Sequence, residues 1–258
     1  MLRSFNPWIQ KLLLHSYRFI LSVPLLRSLL HIFHPETGTI AQFILYTQNQ
    51  LQPGDRLLDA GAGSQNYRPF FQQQRYEATD FCAVPKVYEN MSSLDFVCDL
   101  KKIPRPNRYY DAILNIQVLE HVPNPLAVLQ EFHRVLKVGG HLFLTAPQGW
   151  GLHDEPHHYF NFTRYGLQEL FTRAGFRVKS IQERGGYFRY LTIRLQEMPL
   201  FFLRNLFHPV KFFFALPLFF LTFPLFYLIS PPILFLLDLF FDREKKYTLG
   251  YACHCIKK

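Results

Sequence analysis

Short apolar runs alternate with longer amphipathic ones through the middle of the chain. Arg56-Leu57-Leu58-Asp59-Ala60 reads as a buried strand that stops in Gly61-Ala62-Gly63-Ser64, a glycine turn opening a helix. Tyr76 to Asp80, Phe96 to Leu100 and Tyr110 to Leu114 repeat the strand pattern. A proline-started helix from Pro125 to Leu136 follows, with Gly139-Gly140 as its stop. His141 to Pro147 is a fifth strand, Arg177 to Glu183 a sixth and Tyr247 to Ile256 a last one. Strands and helices alternating at these intervals predict an α/β fold with a largely parallel sheet and helices on both faces.

Two segments break the pattern. Residues 8–33 interleave Trp8, Leu12, Leu13, Ile20, Leu26, Leu29 and Leu30 with basic residues, and Pro24 breaks the run. This suits helices lying in a lipid interface or covering the sheet. Residues 212–237 carry no charge, which exceeds the roughly 20 residues needed to span hydrocarbon. Pro217, Pro224, Pro231 and Pro232 argue against one straight helix there. The strand after it must rejoin the sheet, so a single crossing is excluded. The expectation is a re-entrant or monotopic hairpin broken near Ser230-Pro231-Pro232. A buried core helix is the soluble alternative. The expected divisions are 1–38 for amphipathic helices, 39–198 for the catalytic domain, 199–243 for the hydrophobic hairpin and 244–258 for the last strand.

Charge sharpens the picture. The 258-residue chain is 49% hydrophobic and 17% aromatic, with a formal charge of +9. Lys11, Arg18, Arg27, Arg204, Lys211, Arg243, Lys245 and Lys246 lie within or beside the apolar segments, a membrane-surface distribution that disfavours nucleic acid. The N-terminal apolar stretch lacks a small-residue cleavage site, so a cytosolic catalytic face is expected. The four cysteines have neither zinc nor secretory spacing. On a strand Cys253 and Cys255 share one face and His254 takes the other.

The glycine turn poses the chemical question. A dinucleotide fingerprint needs a third glycine where this chain has Asn66, and Asp59 would repel phosphate. An acid there suits a cationic ligand. On these residues the chain resembles the class I S-adenosylmethionine-dependent methyltransferases, whose first motif is Asp-x-Gly-x-Gly. The resemblance runs over roughly residues 40–190 and is nearest the broad type 11 group, which includes quinone, sugar and lipid methyltransferases. It implies a Rossmann-like sheet of seven strands, with a hydrophobic membrane-associated helical insertion before the last. It also implies S-adenosylmethionine as cofactor, held by Asp59, Ala60, Gly61, Gly63, Asp80, Phe81, Asp99, Leu100 and Gln117. Asp80 would meet the ribose hydroxyls and Asp99 the adenine amino group.

The acceptor side is read from Gly149 to Thr163, which gathers titratable and aromatic groups at the carboxyl end of the sheet. His157 and Tyr159 resemble a Pro-His-x-Tyr element of sugar and lipid members of the group, although Asn161 stands where an arginine is expected. His121, beside Glu120, is a candidate base. These three are the catalytic candidates. The fourth strand ends in Asn115-Ile116-Gln117 rather than Asn/Asp-Pro-Pro-aromatic, which argues against nucleic-acid bases or glutamine amides. His153-Asp154-Glu155-Pro156-His157 is not His-Glu-x-x-His, so no metal is expected. The expected activity is methyl transfer to oxygen, or to carbon, of an amphiphilic acceptor at a membrane: a lipid-linked sugar, a quinone precursor or another lipid. A silent cofactor-binding membrane scaffold is the alternative, and Asn66 and Asp59 disfavour a nicotinamide-dependent reductase.

Overall fold

The apolar runs become strands because parallel strands covered on both faces need continuous hydrophobic sequence. The computed structural model describes residues 23–81, 94–205, 208 and 211–258. The expected N-terminal positions Trp8, Leu12, Leu13 and Ile20 and the cysteine Cys82 lie outside them. Among the described residues the chain divides into two units, one of Gln42–Gln182 with Gly250–Lys258, the other of Glu183–Leu249 with residues 23–41.

The first unit holds a seven-stranded sheet of β1 (Arg56–Ala60), β2 (Arg75–Asp80), β3 (Phe96–Val97), β4 (Tyr110–Ile116), β5 (Leu136–Pro147), β6 (Phe176–Glu183) and β7 (Gly250–Lys257). Its order is β3-β2-β1-β4-β5-β7-β6. The pairs β1–β2, β1–β4, β2–β3 and β4–β5 are parallel, while β7 runs antiparallel to β5 with Phe143 opposite His254. Strand order reverses between β1 and β4, so the connections leaving their carboxyl ends diverge and open a crevice.

Helices α1 (Pro24–Phe33) and α2 (Pro35–Gln48) precede β1 in the chain, and two later helices of the first unit carry caps legible in the sequence. In α3 (Pro125–Val135) the Asn124 side chain accepts the Ala127 N–H at 3.1 Å, and Val128, Leu129, Phe132 and Val135 make the buried face. Thr163 caps α4 (Arg164–Arg173) in the same way through Gly166 N–H. The expected Gly139-Gly140 helix stop is corrected. Leu136 is already extended, and Gly139, at φ +79°, lies inside β5 where its register with β4 shifts between Tyr110 and Ala112. The glycines serve a bulge, since a Cβ on Gly140 would meet the Lys137 carbonyl oxygen at 2.8 Å.

Strand β7 is fixed by polar contacts. Lys257 Nζ donates to the carbonyls of His133 at 2.5 Å and Leu136 at 2.8 Å, neutralising the carboxyl end of α3. Cys253 and Cys255 are fully buried in the core, and burial pushes the Cys255 thiol up. On the opposite face His254 is equally buried, with Nδ1 2.8 Å from the Tyr46 hydroxyl and Nε2 2.7 Å from His141 Nδ1. Burial, with His141 and Lys179 nearby, pushes His254 from 6.5 down to about 3. The unfolded chain therefore binds protons between about pH 6.5 and 3 that the folded chain refuses, so stability falls as pH falls through this window. Thermal unfolding midpoints in detergent should drop on acidification, and His254→Gln should flatten that slope. An unchanged slope would remove His254 from the acid response.

The second unit is helical, with α1 (Pro24–Phe33), α5 (Tyr187–Arg204), α6 (Phe212–Pro224) and α7 (Ser230–Phe240). A π-helical stretch, Leu225–Ile229, joins α6 to α7, so Phe212–Phe240 is one helix of 29 residues. The expected break at Ser230-Pro231-Pro232 is corrected. Pro231 would clash with the Tyr227 carbonyl in a regular α-helix, and the π stretch lies at that point. The antiparallel partner is instead α5. Its first N–H groups, from Gly186 and Arg189, donate to Asp238 Oδ1, each at 3.1 Å, near the end of α7. Helix α1 packs on the same helix through His31 and Phe235, with Arg189 donating to His31. Arg184, almost fully buried, pairs with Glu36 at 3.0 Å. Few residues in the most apolar window of the long helix are buried, 11% in all, and Phe213, Phe214, Phe220, Leu221, Leu228, Leu239 and Phe240 are exposed.

Candidate active site

The chain leaves β1 through Gly61 at φ +88° and Gly63 at φ +50°. The amides of Gly61 and Ala62 both donate to the Thr79 carbonyl, at 2.9 and 3.0 Å, which fastens the turn to β2. The two glycines differ. A Cβ on Gly61 would overlap the Val118 side chain, whereas one on Gly63 would meet nothing within 4 Å. Gly63 N–H donates to Asp80 Oδ2 at 2.9 Å.

Beyond the turn lies a cleft of about 330 Å³, in the crevice that strand order predicts. Gly61, Gly63, Asp80, Phe81, Asp99, Leu100 and Gln117 line one part of it, and His121, Asp154, His157 and Tyr159 line another. Asp99 accepts the Lys101 amide at 2.9 Å and pairs with its ammonium at 3.2 Å. Gln117 is held at φ +53°, its N–H bonded to the Thr145 carbonyl at 3.1 Å. Apolar walls come from Val118, Val122, Pro123 and Val128. Sequence reasoning missed these and Lys101, although Val118 directly follows Gln117 and Val128 lies on the buried face of α3.

Asp59 and Ala60 do not line this cleft. Strand β1 is central, so its last side chains are buried under the turn. Asp59 Oδ2 accepts a hydrogen bond from the Tyr76 phenol, and burial pushes its carboxyl up to about 7. Ala60 instead offers its carbonyl to Asn115 Nδ2 at 2.7 Å. In this arrangement Asp59 supports the turn from below.

The catalytic candidates come together from two loops. After β4 a 3₁₀ turn, Leu119–His121, places the Glu120 carbonyl where it accepts the amides of Tyr159 at 2.9 Å and Phe160 at 3.3 Å. His121 Nδ1 lies 2.8 Å from the His157 carbonyl oxygen, which can only accept, so Nδ1 carries the proton. Burial lowers the His121 pKa, the imidazole is neutral near pH 7, and Nε2 keeps its lone pair. That nitrogen is 3.9 Å from Glu120 Oε1 and 4.0 Å from Asp154 Oδ2. His157 Nδ1 and the Tyr159 hydroxyl are 3.4 Å apart. Asn161, standing in the expected arginine position, pairs its side-chain amide with the Trp150 backbone through two bonds of 3.1 Å. It shapes the loop and adds no charge.

These residues fit the cofactor that the glycine turn implies. Gly63 leaves open space beside the turn, Asp80 and Asp99 offer carboxylates on the same wall, and the acidic lining suits a cation better than a phosphate.

Comparison with solved structures gives the fold independently. The [4+2]-cyclase SpnF aligns with a TM-score of 0.52 at 18% identity, over 85% of this chain and 80% of its own. A putative sarcosine dimethylglycine methyltransferase from Galdieria sulphuraria aligns with a TM-score of 0.50 at 15% identity, over 86% and 83%. No curated protein matches the chain. Identities this low speak to the fold alone, and a cyclase sits beside a methyltransferase on it. Sequence membership decides between them: a methyltransferase-domain family profile matches residues 32–181, more than half of the chain. The chain therefore belongs to the methyltransferase-domain family, as a class I enzyme dependent on S-adenosylmethionine.

Proposed function

We propose that the enzyme methylates an oxygen, or in second place a carbon, of a membrane-proximal amphiphilic acceptor: a lipid-linked sugar, a quinone precursor or another lipid. The observation that carries the reading is the apolar, largely exposed helix Phe212–Phe240, free of charge as far as Leu237 and inserted in the chain between β6 and β7. An enzyme of a freely diffusing polar acceptor has no use for such a surface. The catalytic domain faces the cytosol in this reading.

When bound, S-adenosylmethionine supplies a methyl group activated by its sulfonium. Asp80 and Asp99 would accept hydrogen bonds from its hydroxyl and amino groups, and Phe81 and Leu100 would cover its apolar faces. At the other part of the cleft, His157 and Tyr159 bind the acceptor's polar end. His121 Nε2, a neutral lone pair with its tautomer set by the His157 carbonyl, takes the proton from an acceptor hydroxyl. Positioning supplies most of the rate, since a one-step displacement needs its partners in line.

Incubating purified protein and a lipid extract with methyl-labelled S-adenosylmethionine identifies the acceptor by its label. His157→Ala should lower transfer by about 10–100-fold, and Tyr159→Phe, which removes one hydrogen bond, by about 5–10-fold. Cofactor affinity should stay within about twofold in both, because neither residue belongs to the cofactor wall. Equal loss of affinity and turnover would make the loop structural. The competing reading, a silent cofactor-binding scaffold, expects binding with no labelled product from any extract.

A further inference from the structure

The acceptor loop brings together donors that no single stretch of sequence displays. We propose that Glu120, His121 and His153 form a binding site for a divalent metal ion, suited to zinc, at the acceptor end of the cleft. One ligand atom from each lies within 4.8 Å of the other two. Glu120 is 1% exposed, so its carboxylate is held inside the protein rather than on a solvated acidic surface.

The tautomers carry the argument further. His121 Nδ1 faces the His157 carbonyl at 2.8 Å and His153 Nδ1 faces the Gly151 carbonyl at 2.9 Å. Carbonyls accept only, so both rings hold their proton on Nδ1 and keep a lone pair on Nε2. This is the arrangement by which proteins orient metal-binding histidines, with the outer nitrogen tied to a carbonyl. His121 Nε2 then points its lone pair at carboxylate oxygens of Glu120 and Asp154, at 3.9 and 4.0 Å. A cation placed among these atoms would be met by donors from two loops. His158 closes the group, its ring centroid 4.3 Å from that of His153.

Two imidazoles and a carboxylate without sulfur are a donor set that zinc takes in open, three-ligand sites. Zinc bonds of about 2.0–2.2 Å hold ligand atoms roughly 3.4 Å apart, so the three would draw in by about 1 Å on binding. The chain has no helical His-Glu-x-x-His, the pattern on which the expectation of no metal rested. The ligands instead come from the turn after β4 and the loop after β5. His121 and Asp154 line the cleft, which puts the ion's open position on the acceptor side. There it would lower the pKa of a bound acceptor hydroxyl, whose proton would leave to water, with His121 then serving as a ligand rather than as the base. That role rests on the oxygen-acceptor reading above, whereas the binding site does not.

The test is zinc titration of the detergent-purified full chain by calorimetry, with bound metal counted by mass spectrometry and S-adenosylmethionine affinity as the check on folding. Wild type should bind one zinc per chain. His153→Ala should weaken zinc by about 100-fold or more with cofactor affinity unchanged, and Glu120→Gln should do the same. Should the buried Glu120 variant fail to fold, His153→Ala on the loop decides alone. A wild type that takes up no zinc, or a His153→Ala protein that binds it as tightly as wild type, overturns the site. Neither readout involves an acceptor, so failure here is separable from failure of the proposed activity.

Discussion

Gly63→Ala should cut S-adenosylmethionine affinity by about 10–100-fold and leave the fold standing, whereas Gly61→Ala should lower stability first. Both glycines have positive φ, so an alanine at either costs about 1 kcal/mol of backbone strain. The surroundings separate them. A Cβ on Gly61 runs into Val118 on the β4 side of the turn, so packing gives way whether or not a ligand is present. A Cβ on Gly63 meets no protein atom within 4 Å and enters space beside the carboxylate of Asp80. Calorimetry with S-adenosylmethionine and S-adenosylhomocysteine, beside thermal unfolding, reads the two effects apart, and NADH should bind neither the wild type nor the variants. Asp80→Ala should weaken binding to a similar degree, because it removes both a ligand acceptor and the hold on the Gly63 amide. Undiminished affinity in Gly63→Ala would mean that the ligand does not approach the turn there.

The sheet was legible because its central strands are covered on both faces and therefore spell themselves as unbroken apolar runs, as in Leu57-Leu58 and Ala112-Ile113-Leu114. The turn was legible through its glycines, and the cleft acids Asp80 and Asp99 through their positions at strand ends. The burial of Asp59 was not legible, for a reason no local pattern holds. Whether a strand-end acid faces ligand or core depends on the strand's neighbours, and β1 has β2 on one side and β4 on the other. The Gly139-Gly140 pair looked like a helix stop because helix ends and bulges ask for the same backbone freedom. Along Phe212–Phe240 the proline rule overreached, since a π stretch absorbs what Pro231 would break. The grouping of Glu120, His121 and His153 escaped because it depends on the carbonyl of Glu120 holding the distant Tyr159–Phe160 amides.

Replacing Phe220 and Leu221 together by Asp should release the protein from membranes. Both side chains are about two-thirds exposed, at 66% and 65%, so the change removes little packing, and in water it would improve solubility. In a bilayer each acid costs about 2.5–3.5 kcal/mol at depth, and two together outweigh most of what anchors such a helix. The helix has 29 residues, roughly 43 Å at about 1.5 Å per residue, against about 20 residues needed to cross. Yet β7, which follows it, pairs with β5 from His141–Ile256 to Pro147–Gly250. A chain that crossed once would leave β7 on the wrong side of the bilayer, so the proposed membrane association requires the segment to enter and return. The antiparallel run of α5 along the long helix, with Gly186 and Arg189 bonded to Asp238, gives that return its geometry. Wild type should pellet with membranes and resist carbonate extraction, tags before Met1 and after Lys258 should both be reached from the cytosol, and the double variant should move to the soluble fraction. Tags on opposite sides would contradict the pairing of β7, and wild type that stays soluble without detergent would make Phe212–Phe240 a docking face for protein rather than lipid.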